Sequence, residues 1–419
     1  MKKKVISALL CATMVSSMLF GCGSKEAEAP AAEAETQTET ETETETATEE
    51  TADTTEASAE GGSVYYLNFK PEVDAQWQEI AAAYTAETGV PVKVVTAASG
   101  TYEEVLKSEI AGSDAPTLFQ INGPVGYNAW KDYCMDLSNT DLYNNLSDKS
   151  LAIAADGGVY GIPYIVEAYG IIYNDAIMQA YFAMDGAVAK SVDEINSFDT
   201  LKAVVEDMQA KKDDLGIDGV FASTSLLPGE DWRWQTHLAN IPVYYELKDK
   251  GASDVAELEF TYGENFKNIF DLYINNSTCA PALLGSKSVT DSMAEFALGQ
   301  CAMVQNGNWG WGQISGVDGN TVEEANVKFM PIYTGIAGEE SQGLCTGTEN
   351  FWCVNSQTSE ANQKATLDFV NWMVSSAEGK DYMVNALGNA APFTTFGDEE
   401  KPQDPLAQEM FRYMENGKT

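Results

Sequence analysis

The stretch QNGNWGWGQ, residues 305–313, sets Trp309 and Trp311 among three glycines and two asparagines, directly after the apolar run Cys301-Ala302-Met303-Val304. Local composition of this kind reads as a turn. Two indoles in a turn are available to lie flat against something outside the core. Two further loops carry related chemistry. One is Gln120-Ile121-Asn122-Gly123, and the other surrounds Glu167 in PYIVEAYG. An aromatic face can cover the CH face of a pyranose, while amides and carboxylates read its hydroxyls. Binding side chains are commonly placed on loops carried by a rigid scaffold.

The elements that must position these loops follow from periodicity. VYYLNF (64–69) reads as a strand, and Trp77, Ile80, Ala81 and Tyr84 mark a helical face stopped by Gly89. A second strand is predicted at 90–97, and a helix after it with Thr101 and Glu104 spaced as a capping box and Gly112 as its stop. APTLFQIN (115–122) is the third strand candidate. This strand–helix alternation is the rhythm of a parallel sheet. Two apolar runs in GGVYGIPYIVEAYGIIYN (157–174) are read as the chain crossing between lobes. Helical faces follow at Leu201/Val204/Val205/Met208, Phe266/Ile269/Phe270/Tyr273 and Leu367/Val370/Met373/Val374. Residues 219–246 are rich in loop formers and aromatics, 327–335 looks like a strand, and Leu406–Met414 like a short helix. In open α/β sheets, ligands bind beyond the carboxyl ends of the strands, which is where the three loops fall.

The first 62 residues are of another kind. Three lysines precede the apolar stretch Val5–Phe20 and the sequence Leu19-Phe20-Gly21-Cys22, an export signal too short to span a bilayer as a helix. The acidic Glu/Thr run that follows has no aromatic residue, cannot bury enough apolar surface to fold, and is expected to be an extended tether. A formal net charge of −40 argues against nucleic acid, which is bound through basic patches. The length of 63–419 calls for two domains. Cys134, Cys279, Cys301, Cys345 and Cys353 form no C-x-x-C pair, and His237 is the chain's one histidine, so no structural metal site is expected. The odd count fits buried free thiols, with room for one disulfide. No cofactor is implied.

Taken in order, APTLFQING, YGIPYIVEAYGIIYN, LGQCAMVQNGNWGW and FMPIYTG resemble the family 1 extracellular solute-binding proteins of ABC transporters, the class that includes maltose-binding protein. The resemblance covers nearly all of 63–419. It implies an α/β, two-lobed periplasmic-binding-protein fold of type II, with lobes joined by crossing hinge segments. The N-terminal lobe would hold 63–166 plus 347–395, and the C-terminal lobe 167–346 plus 396–419. Residues 1–21 would be a lipoprotein signal peptide and 22–62 an acylated Cys22 with its tether, holding a monomer on the outer face of the cytoplasmic membrane. Its partners would be a carbohydrate and the permease subunits of the transporter. Family members commonly continue for a further helix or two beyond a segment like FRYMENGKT.

Residue by residue, the resemblance assigns sugar contacts to Gln120 and Asn122, to Glu167, and to Trp309, which follows Asn306-Gly307-Asn308 where relatives carry Asn-Gly-Pro. Asn306, Asn308 and Trp311 share that turn. Lys70, Glu103 and Glu349 also fall where relatives touch ligand, and one of Trp232 and Trp234 is expected to do so. Each position has a plainer reading. Trp309 could fill a lobe interface, Trp311 could start the next helix and face its core, Glu167 could hold the hinge, and Asn122 could serve only its Asn-Gly turn. Arg233 is expected to pair with a carboxylate, and His237 to be a satisfied structural histidine. Two other functions stay open: a surface glycosidase, which needs a second carboxylate opposing Glu167, and a binder of amino acids, peptides or metal chelates. The latter usually needs arginine for a carboxylate, and the chain has only Arg233 and Arg412.

Overall fold

The computed structural model describes residues 61–223 and 225–419. The export signal, Cys22 and the acidic tether up to residue 60 lie outside the described residues. The first sheet contains β1 (Val64–Asn68), β2 (Val92–Thr96), β3 (Leu118–Asn122), β4 (Ile153–Ala155) and β5 (Gly158–Pro163). The second contains β6 (Glu167–Asn174), β7 (Gly219–Phe221), β8 (Cys301–Gly307), β9 (Val327–Met330) and β10 (Cys345–Gly347). The chain then returns to the first sheet as β11 (Asn350–Val354).

Strand order in the first sheet is β2-β1-β3-β11-β5-β4. The β1–β2 and β1–β3 pairs are parallel, as the strand–helix rhythm predicts, and β11 enters antiparallel between β3 and β5. Period-two alternation fills both faces of this sheet. Tyr66, Leu118 and Trp352 pack into one cluster with Trp77 and Phe369, while Leu67, Phe119, Phe351 and Cys353 pack into another with Tyr102 and Leu106. In the second sheet β6 is buried along its whole length. It pairs with β8 on one side and with β9 and then β10 on the other. Two connections carry the chain between the sheets: residues 164–166, between β5 and β6, and residues 348–349, between β10 and β11. The helix Pro405–Glu415 then lies against β9, with Tyr413 donating to the Phe329 carbonyl at 3.1 Å.

The helix over Asp74–Thr88 buries Trp77, Ile80, Ala81 and Tyr84 and ends at Gly89 in the left-handed region, φ 76°, where glycine carries no steric cost. Helices Phe198–Ala210, Gly263–Asn275 and Glu360–Ser375 carry the other expected faces. Two local expectations fail. The Thr101 side chain caps nothing, because its hydroxyl donates to the Ala98 carbonyl within the preceding turn. Residues 239–250 form a helix despite Pro242. A π-helical turn over Arg233–Leu238 leads directly into it, and Pro242 sits one turn past the junction between the π and α turns. All five cysteines outside the leader are free thiols.

Candidate functional site

The carboxyl ends of β1, β2, β7 and β8 point into a cleft of about 510 Å³ between the lobes. The first lobe contributes Phe69, Lys70 and Glu72 after β1, and Ala98, Ser99, Gly100, Tyr102 and Glu103 after β2. The second contributes Gly229, Glu230, Trp232, Arg233, Trp309 and Gln313, with Glu167 and Glu349 at the two connections. At the rim the lobes meet backbone to backbone. A Cβ on Gly100, φ 74°, would lie 3.0 Å from the Gly229 carbonyl oxygen, so glycine is what permits this approach.

Buried amides hold the wall of the first lobe in place. Gln120 accepts from the Phe69 amide at 2.7 Å and the Tyr66 hydroxyl at 2.9 Å, and donates to the Tyr164 hydroxyl at 2.8 Å. Asn68 accepts from the Lys70 amide at 3.1 Å and donates to the Lys70 carbonyl at 2.8 Å. Together they fix the Phe69–Lys70 turn and aim the lysine ammonium at Glu167, 2.5 Å away. That ammonium also stands 5.5 Å from the Trp309 ring centroid. Burial pushes the Glu167 carboxyl up, and Lys70 pulls it back only in part. Burial would lower the lysine, but the charges of Glu167 and Glu72 outweigh it and hold the ammonium on.

The second wall is aromatic. His237 stacks on Tyr169 with centroids 4.0 Å apart and touches Trp232 edge-on at 4.9 Å and Trp309 at 5.5 Å. The Trp232 and Trp309 rings converge at 6.2 Å. Gly307 explains the glycine in the turn: a Cβ there would lie 2.1 Å from the Trp309 ring, so the indole lies directly on bare backbone. Glu349 reaches His237 Nε2 at 3.1 Å. Burial alone would raise the Glu349 carboxyl, but the His237 hydrogen bond and charge, aided by Lys70, bring it below the ordinary range.

Of the residues singled out in the sequence, Lys70, Glu103, Glu167, Trp232, Trp309 and Glu349 line this cleft. The others stand elsewhere, each for a local reason. Gln120 is fully buried behind the wall with its donors and acceptors engaged. Asn122 ends β3 on an exposed stretch and does not line the cleft. Asn306 is enclosed, accepting from Arg233 Nε at 3.0 Å and donating to Gln313 at 3.1 Å. Asn308 accepts the Ala168 amide at 2.9 Å, pinning the turn to β6. Trp234 packs edge-on against Phe270 and Tyr273 in the core, which leaves Trp232 at the cleft. Trp311 opens the short helix Trp311–Ser315 and packs against a core cluster. His237 is only half satisfied: Nδ1 is buried and has no partner among the described residues. Arg233 pairs with no carboxylate among the described residues, contrary to expectation. Its guanidinium lies 4.0 Å from the Trp232 ring instead. Phe69, Glu72, Tyr102 and Gln313 also line the cleft without having been singled out. The run from strand end to helix at Phe69–Glu72 was the available signal for the first two.

The described residues hold no cluster of three or more His, Cys, Asp or Glu side chains able to bind a metal ion. No helix among them is long and apolar enough to cross a membrane.

A two-lobed α/β fold with a cleft at the strand ends and two connections beneath it defines a class of binding proteins. The family model for bacterial extracellular solute-binding proteins matches residues 79–409, and the chain belongs to that family. Solved structures share its fold. A solute-binding protein, RafE, in complex with raffinose aligns at 19% identity over 83% of this chain and 86% of its own, with a TM-score of 0.60. Maltose-bound MalE3 of T. maritima aligns at 13% identity over 84% and 85%, TM-score 0.60. A solute-binding protein of Agrobacterium radiobacter K84 in complex with ribitol aligns at 15% identity over 86% and 95%, TM-score 0.59. These describe a type II periplasmic-binding-protein architecture. A search of curated proteins gives no match.

Proposed function

We propose that this extracellular solute-binding protein captures a carbohydrate between its lobes and hands it to the permease of an ABC importer, tethered to the membrane through lipid on Cys22. The observation that carries the reading is the convergence of Trp232 and Trp309 on a cleft whose opposite side presents Lys70, Glu72 and Glu103. Two indoles supply flat apolar area worth roughly 25 cal/mol per Å² buried, and the charged groups supply donors and acceptors for hydroxyls. Structural neighbours solved with raffinose, maltose and ribitol support a polyhydroxylated ligand.

The use of two cleft carboxylates supports binding without bond cleavage. Glu167 is engaged by Lys70 and Glu349 by His237. Ligand-driven closure requires contacts to both lobes, because only differential affinity shifts such an equilibrium. A thermal-shift screen against plant, host and starch-derived oligosaccharides tests the reading. A ligand at 100 times its dissociation constant should stabilise the fold by about 2.7 kcal/mol. Hydrolysis of a sugar, or no shift with any sugar, would contradict it.

A further inference from the structure

The chain has two arginines, and they are treated differently. Arg412 meets its carboxylate: Nε and Nη2 donate to Glu409 at 3.2 and 2.8 Å. Arg233 is only 4% exposed and lines the cleft. Its Nε donates to the Asn306 side chain at 3.0 Å, and its Nη1 to the Glu230 backbone carbonyl at 3.4 Å. The charges of Glu230 and Glu72 offset part of its burial, but neither carboxylate is within ion-pair distance. The Glu230 carboxylate accepts from the Val289 amide at 2.5 Å, at the start of the helix Val289–Ala297. Among the described residues Nη2 has no hydrogen-bond partner and no carboxylate lies within ion-pair distance of the guanidinium. Burial brings the guanidinium down to about 10.

A buried cation without an anion is costly unless something completes it. The surrounding structure nonetheless holds this one in place. Gln305 Nε2 donates to the Arg233 carbonyl at 2.9 Å, Asn306 fixes Nε, and Trp232 stacks on the guanidinium face. What remains is Nη2, with the second hydrogen of Nη1, beside the Trp232 ring.

We infer that the ligand is an acidic sugar, whose single uronate carboxylate completes Arg233 while its rings lie on Trp232 and Trp309. This rests on reading the cleft as a carbohydrate site. A carboxylate is favoured over a phosphate by the rest of the lining. Glu72, Glu103, Glu167, Glu230 and Glu349 line the cleft with only two lysine or arginine side chains, Lys70 and Arg233, and Lys70 is engaged by Glu167. A dianion would meet repulsion from every side except Arg233. A planar carboxylate matches the guanidinium fork and carries one charge.

The test is titration calorimetry on the full chain with matched pairs of probes. These are xylotetraose against glucuronic-acid-branched xylotriose, and glucosyl-β1,3-N-acetylglucosamine against the unsulfated hyaluronan disaccharide. The expected result is that in at least one pair the acid binds about ten-fold tighter or more, the scale of one charge-assisted hydrogen bond. Arg233→Gln should bring the acid's affinity to that of its neutral partner, and Arg233→Lys should restore part of the difference, each with an unchanged circular-dichroism spectrum. Neutral sugars binding as tightly as their acids would overturn the inference and leave the carbohydrate reading standing. Failure of all probes and of the neutral panel would remove both. If Arg233→Gln fails to fold, the Arg233→Lys comparison and the wild-type preference still decide the matter.

Discussion

The two walls of the cleft are built on one plan and finished with opposite chemistry. On each, amides buried in a strand hold a neighbouring turn: Gln120 and Asn68 fix Phe69–Lys70, while Gln305 and Asn306 fix Arg233. The first wall then presents flexible charged groups, with Lys70 already matched to Glu167 across the lobes. The second presents rigid aromatic surface and a guanidinium with unspent donors. The first wall is therefore expected to orient a ligand and stabilise closure, and the second to supply most of the affinity. Rigid aromatic anchors lose little conformational freedom on binding, so they commonly dominate recognition energy.

The largest effect expected from this asymmetry is at Trp309. Trp309→Ala should remove the sugar-induced thermal shift, a loss of about 2–4 kcal/mol of binding energy, while the unliganded melting temperature stays nearly unchanged. If the variant simply unfolds, the indole belongs to the core. Gly307→Ala sharpens the point, because the new methyl group occupies the place of the ring. It should weaken binding almost as much as Trp309→Ala and also lower the unliganded melting temperature. Equal affinity in this variant, measured calorimetrically, would show that the ring's seat on bare backbone is irrelevant.

On the opposite wall the balance should invert. Gln120→Ala leaves the Phe69 amide and two tyrosine hydroxyls short of a partner, which should cost roughly 2–3 kcal/mol of stability in urea unfolding. Its effect on sugar affinity should be the smaller one, acting only through the Lys70 turn. A large affinity loss at unchanged stability would place Gln120 on the ligand after all. The smallest effect belongs to the connection between the walls. The lowered Glu349 carboxyl contributes stability that is present above the ordinary glutamate value, about 4.3. That contribution is lost as pH falls through the lower folded value. Glu349→Gln should lower the melting temperature slightly at neutral pH, where the contribution is fully present, and flatten the profile in that acidic range, so that the two proteins converge at low pH.

Much of the architecture was legible in the sequence because its signals are local and repeated. Trp77, Ile80, Ala81 and Tyr84 could face a core only as a helix, and the left-handed Gly89 ends it. The strand–helix rhythm foretold the parallel β1–β2 and β1–β3 pairs. The antiparallel entry of β11 is non-local, and periodicity carries no trace of it. The helix over 239–250 was obscured by Pro242, and the capping box at Thr101 by a competing hydroxyl bond to Ala98.

At the site, the turn at 305–313 could be seen to reach a cleft. Which of its polar groups face inward could not. Amides at strand ends satisfy either a ligand or a neighbouring backbone, and Gln120, Asn306 and Asn308 took the second course. Glu230, three residues before Arg233, looks like a ready partner in sequence. A helix amide from far along the chain claims it instead.

A crystal structure of the protein with the tightest-binding sugar tests the central claim most directly. The account predicts a saccharide ring lying against Trp309 and Trp232, with hydrogen bonds reaching both lobes and density closed over it at Gly100 and Gly229. A ligand seated elsewhere, with the two indoles bare, would contradict it.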